Sequence, residues 1–202
     1  MDTTNMSVKT FEELNGGINM NNKNINIDKT SVVTGKIILH HANLFEKWSY
    51  EDYGVSKNPD KGLYSAVLVI PKTDDETLKK INIGIKKAAK IGKLYYQDED
   101  FAGSEKFRSP LKDGDAYYVE DIMYKNNYYM TATSKYKPDV ITKLKKPASP
   151  YMIQNGIWAR ASILFNPYCG KTKGVSCVLN NVQIFEDEIY SPSRSRAVDD
   201  FD

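Results

Sequence analysis

The sequence predicts a mainly β domain: a five-stranded antiparallel barrel with one main α-helix and long polar loops. Three observations carry that expectation. Five short runs are rich in β-branched and aromatic residues and end in turn-forming residues. Only one stretch places its apolar residues at helical spacing. Strands and helices do not alternate along the chain, as a parallel α/β sheet would require.

Residues 1–30 contain "NGGINMNNKNIN", with few large apolar groups and no usable period, and are expected to form a flexible N-terminal arm. The first strand is predicted in "SVVTGKIILHHANLF" (31–45), where Gly35 marks a bulge or a sharp bend. A polar loop (46–62) follows and carries Trp48, Tyr50 and Tyr53. "LYSAVLVIP" (63–71) is a nearly continuous apolar run stopped by Pro71, the pattern of a central strand. Thr73 and Glu76 then make a capping-box signature. Leu78, Ile81, Ile85 and Ala88 or Ala89 continue at helical spacing, with acids leading, lysines finishing and Gly92 placed to end the helix. From 97 to 126 the chain looks irregular. Strand chemistry returns in "NYYMTATSKYK" (127–137), in "IWARASILFNPY" (157–168) and in "VSCVLNNVQIF" (175–185). "CGKTKG" supplies a hairpin tip between the last two. The folded domain is thus expected over 31–187, with a flexible acidic tail over 188–202.

The 202 residues suit one domain, long enough to bury a core without disulfides. Cys169 and Cys177 are the only cysteines, with no CxxC or Cys/His cluster, which fits a reduced cytosolic setting. No apolar stretch approaches a membrane span and no leader-type h-region is present, so a soluble protein with no membrane partner is expected. Charge is distributed unevenly. Residues 186–202 hold six acids against Arg194 and Arg196, and residues 1–30 hold four acids against three lysines. With a net charge of +2 for the whole chain, the body between them carries +7. A basic body beside an acidic tail points to a polyanionic partner.

Enzyme signatures are missing: there is no P-loop, GxSxG, HExxH or GxGxxG. His40 and His41 are strand neighbours and are expected on opposite faces, which makes neither a triad nor a metal site. The acids Asp74–Glu76 suit a helix start, and Asp98–Asp100 a solvated loop. No catalytic residue, metal site or cofactor is predicted.

A binding face is predicted instead. Alternation in 157–165 places Ile157, Ala159, Ala161, Ile163 and Phe165 inward, leaving Trp158, Arg160 and Ser162 outside. In 128–137, Tyr128, Met130, Ala132 and Ser134 are expected inside, with Tyr129, Thr131, Thr133, Lys135 and Lys137 outside. Each strand then offers an aromatic ring beside a cation, the combination that stacks unpaired bases and follows phosphates. Fourteen tyrosines against seven phenylalanines agree with a wet face or with a β-rich fold. Tyr124, Lys125 and Tyr136 extend the basic, tyrosine-bearing stretch, and Trp48, Tyr50 and Lys36 complete the candidates. Two readings remain open on these residues: a single-strand binding face, or Trp158 packed under a loop among solvated lysines. A structural or interaction protein that meets another protein through its tyrosines is the competing function.

The segments "TGKIILHHANLF", "YSAVLVIPKTDDETLKKI", "SPLKDGD", "YYMTATSKYKPDVI", "ARASILFNPY" and "KGVSCVLNNVQ", followed by "SRSRAVDDFD", resemble a family of bacteriophage single-stranded-DNA-binding proteins first catalogued as a domain of unknown function. The likeness runs in order from about Thr34 to the C-terminus. It implies an OB-fold, binding to single-stranded DNA with little sequence preference, a part in phage DNA replication or recombination, and a place in the host cytoplasm. It leaves self-association on DNA open. It also implies an acidic tail, here Asp199, Asp200, Phe201 and Asp202, that competes with DNA for the basic face or docks replication and recombination proteins.

Overall fold

The computed structural model describes residues 30–48, 62–118 and 121–190, with the side chains of Glu186 and Asp187 excepted. Nine strands and two helices appear among them. The strands are β1 (Ser31–Val33), β2 (Ile37–Trp48), β3 (Leu63–Pro71), β4 (Phe107–Arg108), β5 (Lys112–Asp113), β6 (Asn127–Ser134), β7 (Asp139–Ile141), β8 (Ile157–Cys169) and β9 (Lys173–Ile189). The helices are α1 (Asp75–Tyr95) and α2 (Gly114–Tyr117), and a 3-10 turn covers Pro150–Met152.

The five long strands close on one another. β2 pairs with β3, β3 with β6, β6 with β9, β9 with β8, and β8 returns to β2. Four of these seams are antiparallel, as expected, and the β6–β9 seam is parallel. This is the connectivity of a Greek-key OB-fold barrel. Closure gives each of the five long strands a partner on both sides, and it sets their inner faces together as one core. Ile37, Leu39, Leu68, Ile70, Met130 and Ile163 are among its fully buried members.

The expected first strand is interrupted. Residues 34–36 turn the chain between β1 and β2, which occupy different stretches of the same β8 edge. Thr34 holds the bend: its N–H donates to Ala161 O and its Oγ1 accepts from Ala161 N–H, both at 3.0 Å. The Gly35 N–H donates to Thr77 Oγ1 at 2.7 Å, tying the bend to the first turn of α1.

Helix α1 begins one residue later than the capping box suggested. Asp74 is its N-cap, accepting from the Thr77 N–H at 3.0 Å. The helix continues past Gly92 to Tyr95, and the Phe101 ring packs against Gly92, where an added Cβ would lie 2.6 Å from it. Ile81, Ile85, Ala88 and Ala89 make its buried stripe, packed on β1, β8 and β9. At Gly84 an added Cβ would lie 2.6 Å from the Phe165 ring, so this position sets how closely helix and barrel approach.

The stretch expected to be irregular, 97–126, contains β4, β5 and α2. It wraps the outside of the barrel: β4 extends the sheet beyond β9, and β5 pairs with β6.

Candidate nucleic-acid interface

Cross-strand register builds a row across the outer surface. Lys112 pairs with Tyr129, Tyr129 with Val69, Val69 with Ile38, Ile38 with Trp158, and Trp158 with Phe185. Paired residues share a face, so these six side chains lie together. Ile38, Val69, Tyr124 and Tyr129 form a hydrophobic cluster separate from the barrel core, with Trp158 and Tyr190 packed against it. The barrel therefore carries a second apolar layer on its outside.

Residues 114–118 and 121–124 supply the cover. Tyr118 stacks on Tyr124 with centroids 4.4 Å apart, and both meet Tyr129 edge-on at 5.2 and 5.1 Å. Tyr117 lies 6.4 Å from Tyr129. The segment is seated by backbone contact: a Cβ on Gly114 would fall 2.1 Å from Tyr124 O, so only glycine fits there. Asn127 Nδ2 donates to Met123 O and Lys125 O, and Lys72 pairs with both Asp113 and Asp115. Those two carboxylates raise the Lys72 pKa strongly, chiefly through the hydrogen bond to Asp113.

Tyr129 and Tyr124 depart from the expectation. Tyr129 points away from the barrel as alternation requires, yet it is only 7% exposed, and Tyr124 only 3%. The overlying segment hides both rings, and burial pushes the Tyr124 hydroxyl pKa up to about 12. The exposed rings of this cluster are Tyr117 at 65% and Tyr118 at 45%. The sequence signal for these two rings is a pair of adjacent aromatics shortly after the Asp113–Gly114 turn residues.

His40 and His41 also depart from it. Alternation fails because β2 is irregular between His40 and Asn43, and His41 takes a φ of +45°. Their rings lie 4.0 Å apart. His40 Nδ1 is hydrogen-bonded to the Tyr124 hydroxyl at 2.8 Å. Burial lowers the His40 pKa, the His41 charge lowers it further, and Asp121 opposes both.

Two open areas flank the tyrosine cover. On one side a groove runs along the outer face of β6 over Tyr129, Thr131 and Thr133, walled by Arg108, Lys112 and Tyr168. Lys112 Nζ sits 5.6 Å from the Tyr117 ring and 6.0 Å from the Tyr129 ring. Following β6 onward leads to Lys135, Tyr136 and Lys137, all exposed, with Lys137 Nζ 5.4 Å over the Phe45 ring. Trp48 ends β2 beside Leu63 at this same end of the barrel. On the other side Lys36 Nζ lies 5.1 Å from the Trp158 ring and 5.5 Å from that of Phe185. Trp158 meets Tyr190 edge-on at 5.8 Å, and Lys36 pairs with Glu188. Exposed Arg160 donates from Nε to Thr34 O at 3.2 Å, which leaves the rest of its guanidinium outward.

The predicted residues thus fall into three groups: Lys36, Trp158 and Arg160; Tyr124, Lys125 and Tyr129; and Trp48, Lys135, Tyr136 and Lys137. Lys125 is exposed at the end of the tyrosine cover. Tyr50 and the tail residues Asp199, Asp200, Phe201 and Asp202 lie outside the described residues. Arg108, Lys112, Tyr117, Tyr118, Tyr168 and Phe185 were not anticipated. Among the described residues no group of three or more His, Cys, Asp or Glu is placed to hold a metal ion, and no helix is long and apolar enough to cross a membrane.

A protein family described as the ssDNA-binding protein of Enterobacter phage Enc34 matches residues 30–202. Protein p50 of Acyrthosiphon pisum secondary endosymbiont phage 1 is 29% identical over 175 residues, spanning 81% of this chain and 88% of its own. Among solved structures, the fold is similar to the single-stranded DNA-binding protein from bacteriophage Enc34 in complex with ssDNA. That match has a TM-score of 0.65 at 19% identity, over 80% of this chain and 90% of that one. It is also similar to gp2.5, a single-stranded DNA-binding protein encoded by bacteriophage T7. Here the TM-score is 0.55 at 15% identity, over 82% of this chain and 98% of that one.

Proposed function

The chain belongs to the Enterobacter phage Enc34 ssDNA-binding protein family, and from that premise we propose that it binds single-stranded DNA on the outer face of its barrel with little sequence preference. One observation carries the location: cations sit beside aromatic rings on both sides of the tyrosine cover, Lys112 with Tyr117 and Tyr129, Lys36 with Trp158 and Phe185. Rings stack on any base, and the neighbouring cations neutralise the phosphates between them. OB-folds bind oligonucleotides on the face of their second and third strands and on adjoining loops. β3 and β6 hold those two positions here, and the groove floor runs along β6.

The binding is non-catalytic and serves phage DNA replication or recombination in the host cytoplasm. The acidic segment Asp199–Asp202 competes with DNA for this face when salt is low, or recruits replication and recombination proteins.

The protein has two tryptophans, Trp48 and Trp158, so intrinsic fluorescence reports on two ends of the face. Titration of the Trp48→Phe and Trp158→Phe variants with oligo-dT, duplex DNA and single-stranded RNA tests the proposal. Quenching of Trp158 by oligo-dT and not by duplex is expected. No response of either tryptophan to any nucleic acid would leave the tyrosine face to a protein partner.

A further inference from the structure

Register carries the outer face of the barrel beyond the apolar row that includes Ile38 and Trp158. His40 stands two residues along β2 from Ile38, on the same face and about 7 Å away. It pairs with Val67, and Val67 pairs with Thr131, which lines the groove beside Lys112. Paired residues share a face, so His40, Val67 and Thr131 make a second row beside the first. The tyrosine cover meets Tyr129 on the first row, and His40 touches the margin of that cover through the Tyr124 hydroxyl. A nucleic-acid strand laid along this margin, between the Trp158 side and the groove, passes over the imidazole.

The backbone brings a second imidazole to the same place. His41 takes its left-handed φ while its N–H donates to Asn155 Oδ1 at 2.8 Å, and its ring lies against that of His40. His41 is exposed and His40 is partly exposed. Burial first, and then the His41 charge, hold His40 below its ordinary pKa, with Asp121 acting in the opposite direction. Among the described residues the cover also presents the Tyr124 hydroxyl, with Tyr118 stacked on its ring. β3, β6 and the turn before β8 present Val67, Thr131 and Asn155, none of which titrates. Two imidazoles this close resist being charged together, and an anion laid over them offsets that resistance.

We propose that His40 and His41 form a proton-linked part of the DNA face: the pair takes up a proton as a strand phosphate comes over it, so binding strengthens as the pH falls. The inference rests on the outer face being the DNA-binding surface. A phosphodiester suits the role because it stays anionic throughout the range in which imidazole titrates. The His40 bond to Tyr124 survives protonation by reversing, since an imidazolium donates from both nitrogens and a hydroxyl also accepts. The cover therefore stays seated. Protonation of His40 lowers the stability of the fold and raises its affinity for DNA. A pair with a merely structural role would lose affinity, or leave it alone, as acid weakens the fold.

The test is polarisation of a labelled oligo-dT with the full chain, at fixed salt, between about pH 5.5 and 8, where neither thymine nor the phosphodiester titrates. A phosphate that raises the pair's hold on a proton tenfold strengthens binding by up to about tenfold. Binding about three- to tenfold tighter is therefore expected at about pH 6 than at about pH 8. His40→Gln/His41→Asn, with asparagine suited to the left-handed position, should bring that difference within about twofold. Calorimetry in buffers of unlike ionisation enthalpy reads the proton directly: uptake on binding by the parent, lost in the double variant. Should the double variant fail to fold, His41→Asn alone, at an exposed position, is expected to show a reduced pH effect and reduced uptake. Affinity that is flat with pH, or a pH dependence and proton uptake that the variants keep in full, would overturn the proposal while oligo-dT binding still upheld the DNA face. No binding by the parent at any pH would remove the DNA face, and this proposal with it.

Discussion

Trp158→Ala separates a ring that holds the fold from a ring that holds DNA. In the folded chain Trp158 is half-buried, meets Tyr190 edge-on at 5.8 Å and takes Lys36 at 5.1 Å. An edge-to-face aromatic pair is worth about 0.5–1.5 kcal/mol beyond its burial, and an exposed cation–ring contact about 0.5–1 kcal/mol. Truncation should therefore cost the fold roughly 1–2.5 kcal/mol, visible as a lower urea midpoint in a chain that still folds. If a base stacks on the ring, binding loses a further ~1–3 kcal/mol, a weakening of roughly five- to 150-fold. Because tryptophan carries no charge, the slope of log affinity against log salt should stay unchanged. The assay is polarisation of a labelled oligo-dT at roughly 50 and 200 mM salt, beside urea unfolding of the same preparation. Affinity within about twofold of the parent, with the unfolding midpoint lowered, would assign Trp158 to the outer apolar layer and refute its place in the DNA face.

Lys112→Ala should flatten the salt slope for oligo-dT by about 0.7, one phosphate's worth on a single strand, while Lys86→Ala, on the exposed side of α1, should leave it alone; equal effects would sink the groove assignment. Gly114→Ala places a Cβ against Tyr124 O and should destabilise by up to about 3 kcal/mol, with amide exchange quickening around Tyr124 and Asn127; unaltered exchange would show that the tyrosine cover is not seated there. His40, facing His41, Tyr124 and Asp121, has a pKa below its ordinary 6.5, so the unfolded chain takes up a proton that the folded chain resists. Stability is then full above about pH 6.5 and falls as the pH drops toward the lower folded value. His40→Gln should remove that fall, and identical urea midpoints against pH for the two proteins would count against it.

Much of the barrel was legible because each strand advertises itself locally. Residues 63–71 are bounded by Pro71 and a turn, and alternation in 157–165 correctly separated Ile157, Ala159, Ala161, Ile163 and Phe165 from Trp158 and Arg160. Alternation tells on which side of a strand a residue lies. It does not tell whether another part of the chain covers that side, and so Tyr129 looked open, while Tyr124 entered only as part of the basic, tyrosine-bearing stretch. Their cover depends on contacts among Gly114, Tyr118, Tyr124 and Asn127 within a segment whose sequence has no period. The His40–His41 contact was hidden for a different reason: an irregular strand with one left-handed residue breaks the period-two rule from which their faces were inferred. Lys112 and Arg108 lie on strands of two residues each, too short for any pattern to register.

The closed barrel also constrains how the chain acquires its shape. The β8–β9 hairpin is joined across a tip at Gly170–Thr172, so its ladder can zip locally. The β2–β8 seam joins Ile38 to Trp158, 120 positions apart, and it cannot form until nearly the whole domain exists. Loop closure of that length slows folding. During synthesis, which delivers the N-terminal side first, β2 and the apolar β3 wait as a hairpin with an unpaired β2 edge until β8 emerges. The Thr34–Ala161 contacts fasten beside this seam, so weakening Thr34 should act chiefly on its closing and leave the early hairpins intact.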